Sequence, residues 1–282
     1  MQGTIAGKGR MLLSDVAGIQ CGPFERPISM SDLQVPVVPA VAEGPALSQV
    51  QRVIYTFTAP SKTFSDIKRS TSWWLPFVLG MIATYALFFT VQAKVGWDQV
   101  TENQIRMNAK QSEQMDKLTP EQRATQMAIA SKVTEGIFMA FPLFSLIVTA
   151  IIAGVLLATI NFGFGGKAKF WEAFAVCYFA GLPGIIKVML GIAALLAGAA
   201  PESFNSRNFS GTNIGYYLSP DTNKAVMALA TSLDVVTIWT LVLYSIGFSI
   251  IAGTKRNSGY IAVFGWWVLI VLIGTGWAAA FS

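Results

Sequence analysis

Residues 73–91 read WWLPFVLGMIATYALFFTV, nineteen positions without a charge. At about 1.5 Å of rise per residue, a helix of that length crosses most of a hydrocarbon core about 30 Å thick. Trp73 and Trp74 open the run, as expected of indole rings anchored at headgroup level. Pro76 falls in the first turn, where its missing N–H costs no hydrogen bond. Four further apolar runs follow, at 136–160, 171–200, 225–252 and 260–281. Splitting 171–200 at its GLPG (181–184) would leave two pieces far short of the ~20 residues a crossing needs, so it reads as one helix kinked at Pro183. The pattern predicts an all-α integral membrane bundle of five transmembrane helices over residues 73–282.

Composition agrees. Of 282 residues, 53% are hydrophobic and 12% charged, about half the ~25% that covers a soluble surface. The net charge of +5 is spread along the chain and reads as orientation signals beside spans, not as a nucleic-acid surface. Histidine is absent, which removes the commonest general base and metal ligand. Cys21 and Cys177 lie far apart and suggest neither a disulfide framework nor a zinc site. Asp15 interrupts the only short apolar run near the N-terminus, so insertion is expected through the first span as an uncleaved signal.

Outside the spans, residues 1–45, with PVVPAVAEGPA, read as a disordered tail or as sequence upstream of the native start. From residue 46 to 72 the pattern is amphipathic. Leu47, Val50, Ile54 and Phe57 recur at helical spacing, and Phe64 and Ile67 follow Pro60 among Lys62, Lys68 and Arg69. This segment reads as a cytosolic, interfacial helix with its lysines near phosphates, or as an ordinary helix packed on protein. Residues 92–135 form a charge-balanced helical excursion, where Thr119-Pro-Glu-Gln supplies a cap, a first-turn proline and a capping-box glutamine. A bend is expected at Pro142. The glycines before Lys167 do not make a phosphate loop, because Ala168 stands where a magnesium-binding hydroxyl belongs and no strand precedes it. Lys167 and Lys169 instead anchor an interfacial turn. No cofactor is implied.

Five spans place the two ends on opposite sides. Lys62, Lys68, Arg69, Lys167, Lys169, Lys255 and Arg256 gather on one side, so the positive-inside rule gives an inner N-terminus and an outer C-terminus.

Two ionisable side chains stand within apolar runs, Lys187 and Asp234. Each costs about 2.5–3.5 kcal/mol at a helix centre on insertion scales. From the rise per residue, Lys187 lies about 20 Å and Asp234 about 13 Å below the outer ends of their helices, a gap a lysine stem closes. Gly184, Lys187, Gly191, Ala194 and Gly198 share a small-residue stripe suited to close helix packing. Thr231, Asp234, Thr237, Ser245 and Ser249 fall on or near one face of the fourth run. An ion pair between Lys187 and Asp234 is therefore expected. With no second acid, histidine or cysteine beside it, the pair reads as structural in preference to a proton or ion relay. An intramembrane enzyme would need a Ser-Lys pairing, and no serine lies at helical spacing from Lys187.

The stretches TFTAPSKTFSDIKRSTSWWLPFVLG (56–80), FAGLPGIIKVMLGI and SLDVVTIWTLVLYSIGFSI resemble, in that order, the entry, the proline-broken third span and the fourth span of the Yip (Ypt-interacting-protein) family, especially its bacterial branch. The residues carrying the resemblance are Pro60, Phe64, Ile67, Pro183, Leu233, Asp234, Trp239 and Gly247. It implies a five-span α-helical domain over about residues 50–280 with a cytosolic N-terminus. Eukaryotic members are associated with small Rab-type GTPases. This chain departs from them in its tail and in its excursion at 92–135, so a small GTPase is a partner only by analogy. The expected partners are the lipid bilayer and another membrane protein or a second copy, with no nucleic acid. The expected function is a non-enzymatic membrane scaffold in a bacterial cytoplasmic membrane; the alternative is a small transporter or channel using Asp234 as an ion or proton site.

Overall fold

A computed structural model of the chain describes residues 45–219 and 221–280. The expected tail, as far as residue 44, lies outside the described residues. Among the described residues the fold is all-α, with five helices long and apolar enough to cross a membrane.

Two short helices come first, α1 (Gln49–Thr58) and α2 (Pro60–Ile67). Ser48 and Gln51 close a capping box on α1, and Pro60 occupies the first turn of α2, so the junction at Ala59 is set locally. Helix α3 (Trp74–Lys94) is the first span. Gly96, at φ 83°, turns the chain into α4 (Trp97–Arg106), and α5 (Ala109–Asp116) follows. Thr119 and Gln122 then start α6 (Pro120–Ala158) with the expected capping box, and the excursion runs into the second span without a break. Pro142 lies inside α6, and a π-helical turn (Thr159–Gly163) ends it.

The third span comprises α7 (Phe170–Ala180) and α8 (Gly184–Leu196) around a turn at 181–183, with Pro183 at its last position. The hydrogen bonds Gly184 N–H to Gly181 and Ile185 N–H to Leu182 carry the chain through that turn. Helix α9 (Lys224–Ser232) precedes α10 (Val235–Ala252), and Gly253, at φ 67°, closes α10 with a left-handed cap before α11 (Arg256–Ala280). The connections at 164–169 and 253–255 define a near face of the bundle; those at 95–119 and 197–223 define a far face.

Two apolar cores hold the bundle. The larger, towards the near face, joins Phe64 and Ile67 of α2 to Phe174, Val176 and Phe179 of α7, Phe248 and Ile251 of α10, and Val263 of α11. The smaller, towards the far face, joins Leu87, Phe88 and Val91 of α3 to Trp97 and Val100 of α4, with Leu195 of α8 and Phe204 closing it.

Two expectations need correcting. The fourth apolar run is not one helix over 225–252: it breaks between Ser232 and Val235, and Asp234 stands at the start of a helix, not deep within one. The tryptophan pair also divides. Trp74 is exposed, as an anchor would be, whereas Trp73 is half-buried and stacks on Tyr178 with ring centroids 5.2 Å apart. Trp73 also meets Phe77 and Phe174 edge-on, so aromatic packing within the bundle holds its ring.

Candidate functional site

Asp234 is the N-cap of α10. Its backbone is extended (φ −102°, ψ 123°), and its Oδ1 accepts the Thr237 N–H at 2.7 Å. Aspartate favours this position because its short carboxylate satisfies a helix-terminal N–H and meets the positive end of the helix dipole. The other oxygen, Oδ2, accepts from the Thr212 hydroxyl and, at 3.5 Å, from the Asn213 amide. The Lys187 ammonium of α8 approaches the same oxygen at 3.1 Å. Asp234 is 2% exposed.

The donors other than Lys187 and Thr237 come from the loop at 201–219, which folds down over the break. Val235 N–H bonds to Thr212 O at 3.1 Å, and Asn213 pairs with Asp234 as an isolated antiparallel bridge. Asn213 exchanges amide hydrogen bonds with Asn208 and caps a 3-10 turn (Ile214–Tyr217) by accepting from Tyr216 N–H at 3.0 Å. The loop is pinned again by Asn103 of α4, whose amide donates to Pro201 O at 2.8 Å and Phe204 O at 3.0 Å. The carboxylate therefore ties together the third span, the fourth span and the far-face loop.

The small-residue stripe behaves differently from expectation. At Gly191 a side chain would collide with the ring of Phe209, so this glycine admits the loop and not a neighbouring span. A Cβ at Gly184 or Gly198 would meet nothing within 4 Å, and Gly198 serves the end of α8 with φ 94°. Close helix approach occurs elsewhere. Gly259 of α11 abuts Ser245 and Ser249 of α10, and Gly247 abuts Val176 and Phe64.

A second charge pair was missed by sequence reasoning. Arg52 (1% exposed) and Asp66 (5%) form a buried ion pair between α1 and α2, with Arg52 Nε and Nη2 each 2.7 Å from Asp66 Oδ2. Arg52 Nη1 also donates to Ser70 O at 2.8 Å, clamping the chain that leads into α3. The available signal was a lone arginine on the polar side of α1, fourteen positions before an aspartate flanked by Phe64 and Ile67.

Among the described residues no group of three or more Cys, Asp or Glu side chains converges to hold a metal ion.

The stretches around Phe64 and Gly247 are distant in sequence, yet Phe64 of α2 lies directly on Gly247 of α10 with Val176 of α7 beside them. The family model described as Yip1 domain matches residues 54–278. This chain belongs to the Yip1 domain family. The matched region takes in Asp66, Lys187 and Asp234, and begins within α1, before the first span. No curated protein and no solved structure matches the chain.

Proposed function

We propose that this Yip1 domain protein is a non-enzymatic scaffold in a bacterial cytoplasmic membrane, N-terminus inside and C-terminus outside, which binds another membrane protein or a second copy of itself, or shapes lipid. The observation that carries this reading is the internal engagement of Asp234. Both carboxylate oxygens face protein donors, and a lysine supplies the countercharge. A carboxylate so occupied fixes the register of two spans and a loop, and its countercharge is already supplied by Lys187.

One observation favours the rival, a transporter using Asp234. The fourth apolar run is broken at that residue, and broken helices line the substrate sites of many transporters. Purified protein separates the two. On the scaffold reading, Lys187→Met strands a buried carboxylate and lowers stability in detergent by about 3 kcal/mol. Adding Asp234→Asn recovers part of that loss, and liposomes carrying the protein or either variant pass protons and alkali cations no faster than empty ones. Flux that disappears on Asp234→Asn overturns the scaffold reading and adopts the transporter.

A further inference from the structure

Helix α1 is amphipathic, but it is mounted the opposite way from a helix packed on a protein in water. Of its polar residues Arg52 and Thr56 are buried, at 1% and 0% exposure, and Gln51 and Thr58 are exposed; Val53 packs on the core, while Val50 (61%), Ile54 (53%) and Phe57 (37%) face outward. Turned to water, this face would leave Val50 and Ile54 hydrated and Phe57 part-hydrated beside Trp239. Turned to acyl chains, it forfeits nothing.

The hydrogen bonding of the hairpin fits the second environment. The Thr56 and Thr63 hydroxyls donate to Arg52 O at 2.8 and 2.9 Å, and the Thr58 hydroxyl donates to Ile54 O at 3.1 Å. At the tip, Ala59 N–H bonds to Tyr55 O at 2.8 Å, and Pro60 has no N–H to satisfy. Polar groups folded back onto backbone carbonyls are what a segment lacking water requires. The one arginine of α1 is neutralised by Asp66, and the exposed cations Lys62, Lys68 and Arg69 all belong to α2 and the chain after it.

The apolar face is also continuous with the surface of a span. Phe57 meets Trp239 of α10 edge-on at 5.5 Å, and both rings are part-exposed at 37%. Ser61, just past the tip, accepts from Arg256 at the near-face end of α11 at 3.1 Å, which fixes the side of the membrane concerned.

We infer that the α1–α2 hairpin is sunk into the near-face leaflet, with Val50, Ile54 and Phe57 against phospholipid acyl chains, so that the membrane-embedded domain begins at α1 and not at the first span. Acyl chains are the occupant because the face is a ridge of three side chains on a ten-residue helix, far short of the ~800 Å² each partner gives to a stable protein interface. Its contact with Trp239, thirteen residues from the near-face end of α10, draws Phe57 below the headgroups, while the Ser61–Arg256 contact keeps the hairpin on the near side. The inference does not rest on the scaffold reading: ion flux through Asp234 would leave it untouched.

The test uses the full chain in phosphatidylcholine/phosphatidylglycerol vesicles. Cysteines replace Val50, Ile54, Phe57 or the exposed Gln51 in a Cys21→Ser background, Cys177 being buried, and each carries an environment-sensitive fluorophore. Labels at 50, 54 and 57 should be quenched by lipids spin-labelled along the acyl chain and protected from aqueous iodide at least ~3-fold relative to the label at 51. Should a labelled variant fail to fold, the unmodified protein is irradiated with an aryl diazirine dissolved in the acyl chains, and carbene adducts should map to residues 50–57. Iodide reaching 54 as freely as 51, or adduct-free 50–57 in the unmodified protein, overturns the inference. So does cross-linking of residue 54 to a second copy or another protein without acyl-chain quenching.

Discussion

At the scale of single residues, the buried ions Arg52, Asp66 and Asp234 each meet an opposite charge from another element, whereas the buried Glu172 accepts the Lys169 N–H of its own helix start. Arg52 illustrates the stake. Its guanidinium is enclosed between α1, Asp66 and the Ser70 carbonyl, and removing one member leaves an uncompensated charge in a place water does not reach. Breaking such a pair costs about 3–5 kcal/mol, whereas replacing both members with apolar residues can be close to neutral. Arg52→Met is therefore expected to lower stability by that amount, read as the shift of the unfolding midpoint in detergent, and Arg52→Met with Asp66→Leu should recover most of it. The exposed pair Lys117–Glu113, at 2.6 Å, offers the contrast. Lys117→Ala should cost well under about 1 kcal/mol, because solvent already screens that contact.

At the scale of elements, the sequence reveals what is decided locally and conceals what is decided by distant segments. The start of α6 is written in Thr119, Pro120 and Gln122, within one turn of one another, and the helix begins where they place it. The break before α10 has no comparable signature. Apolar residues run from Ala225 to Ala252 with one acid among them, and Asp234 becomes a cap because residues 212–213, far back in the chain, dock against it. The glycines teach the same distinction. Spacing identifies which of Gly184, Gly191 and Gly198 share a face, but not what stands opposite, and the glycine pressed against a neighbouring helix backbone is Gly259. There the added methyl of Gly259→Ala runs into the backbone of α10 at Ser245 and should destabilise by about 1–3 kcal/mol, as overpacking does. Gly265→Ala, on the same helix with nothing within 4 Å, should be neutral or slightly stabilising, since alanine favours a helix over glycine by about 1 kcal/mol. Thermal unfolding of the two variants side by side checks the difference.

At the scale of the whole molecule, an odd number of crossings acts together with a near face whose cations are little opposed by acids, Asp66 and Glu172 being the two beside them. The near face carries Lys62, Lys68, Arg69, Lys167, Lys169, Lys255 and Arg256 as exposed side chains. On the far face the excursion sets Lys94, Arg106, Lys110 and Lys132 among Asp98, Glu102 and Glu135 and pairs Lys117–Glu113 at 2.6 Å and Arg123–Asp116 at 3.6 Å, while Arg207 and Lys224 share the loop between the third and fourth spans with Glu202 and Asp221. Translocation disfavours lysine and arginine in short segments flanking spans, so the near face is expected to stay cytoplasmic. Because α1 and α2 join α3 at that face and α11 leaves it after the fifth crossing, the chain ends should lie on opposite sides. Epitope tags at each end, probed with protease on intact and permeabilised cells, should show the C-terminal tag cleaved from outside and the N-terminal tag cleaved only after permeabilisation. Tags on one side would mean that one of the five helices does not cross. The 18-residue α10 would be the first suspect, because its ~27 Å of rise is the shortest of the five and depends on the Asp234 cap to hold its far-face end in place.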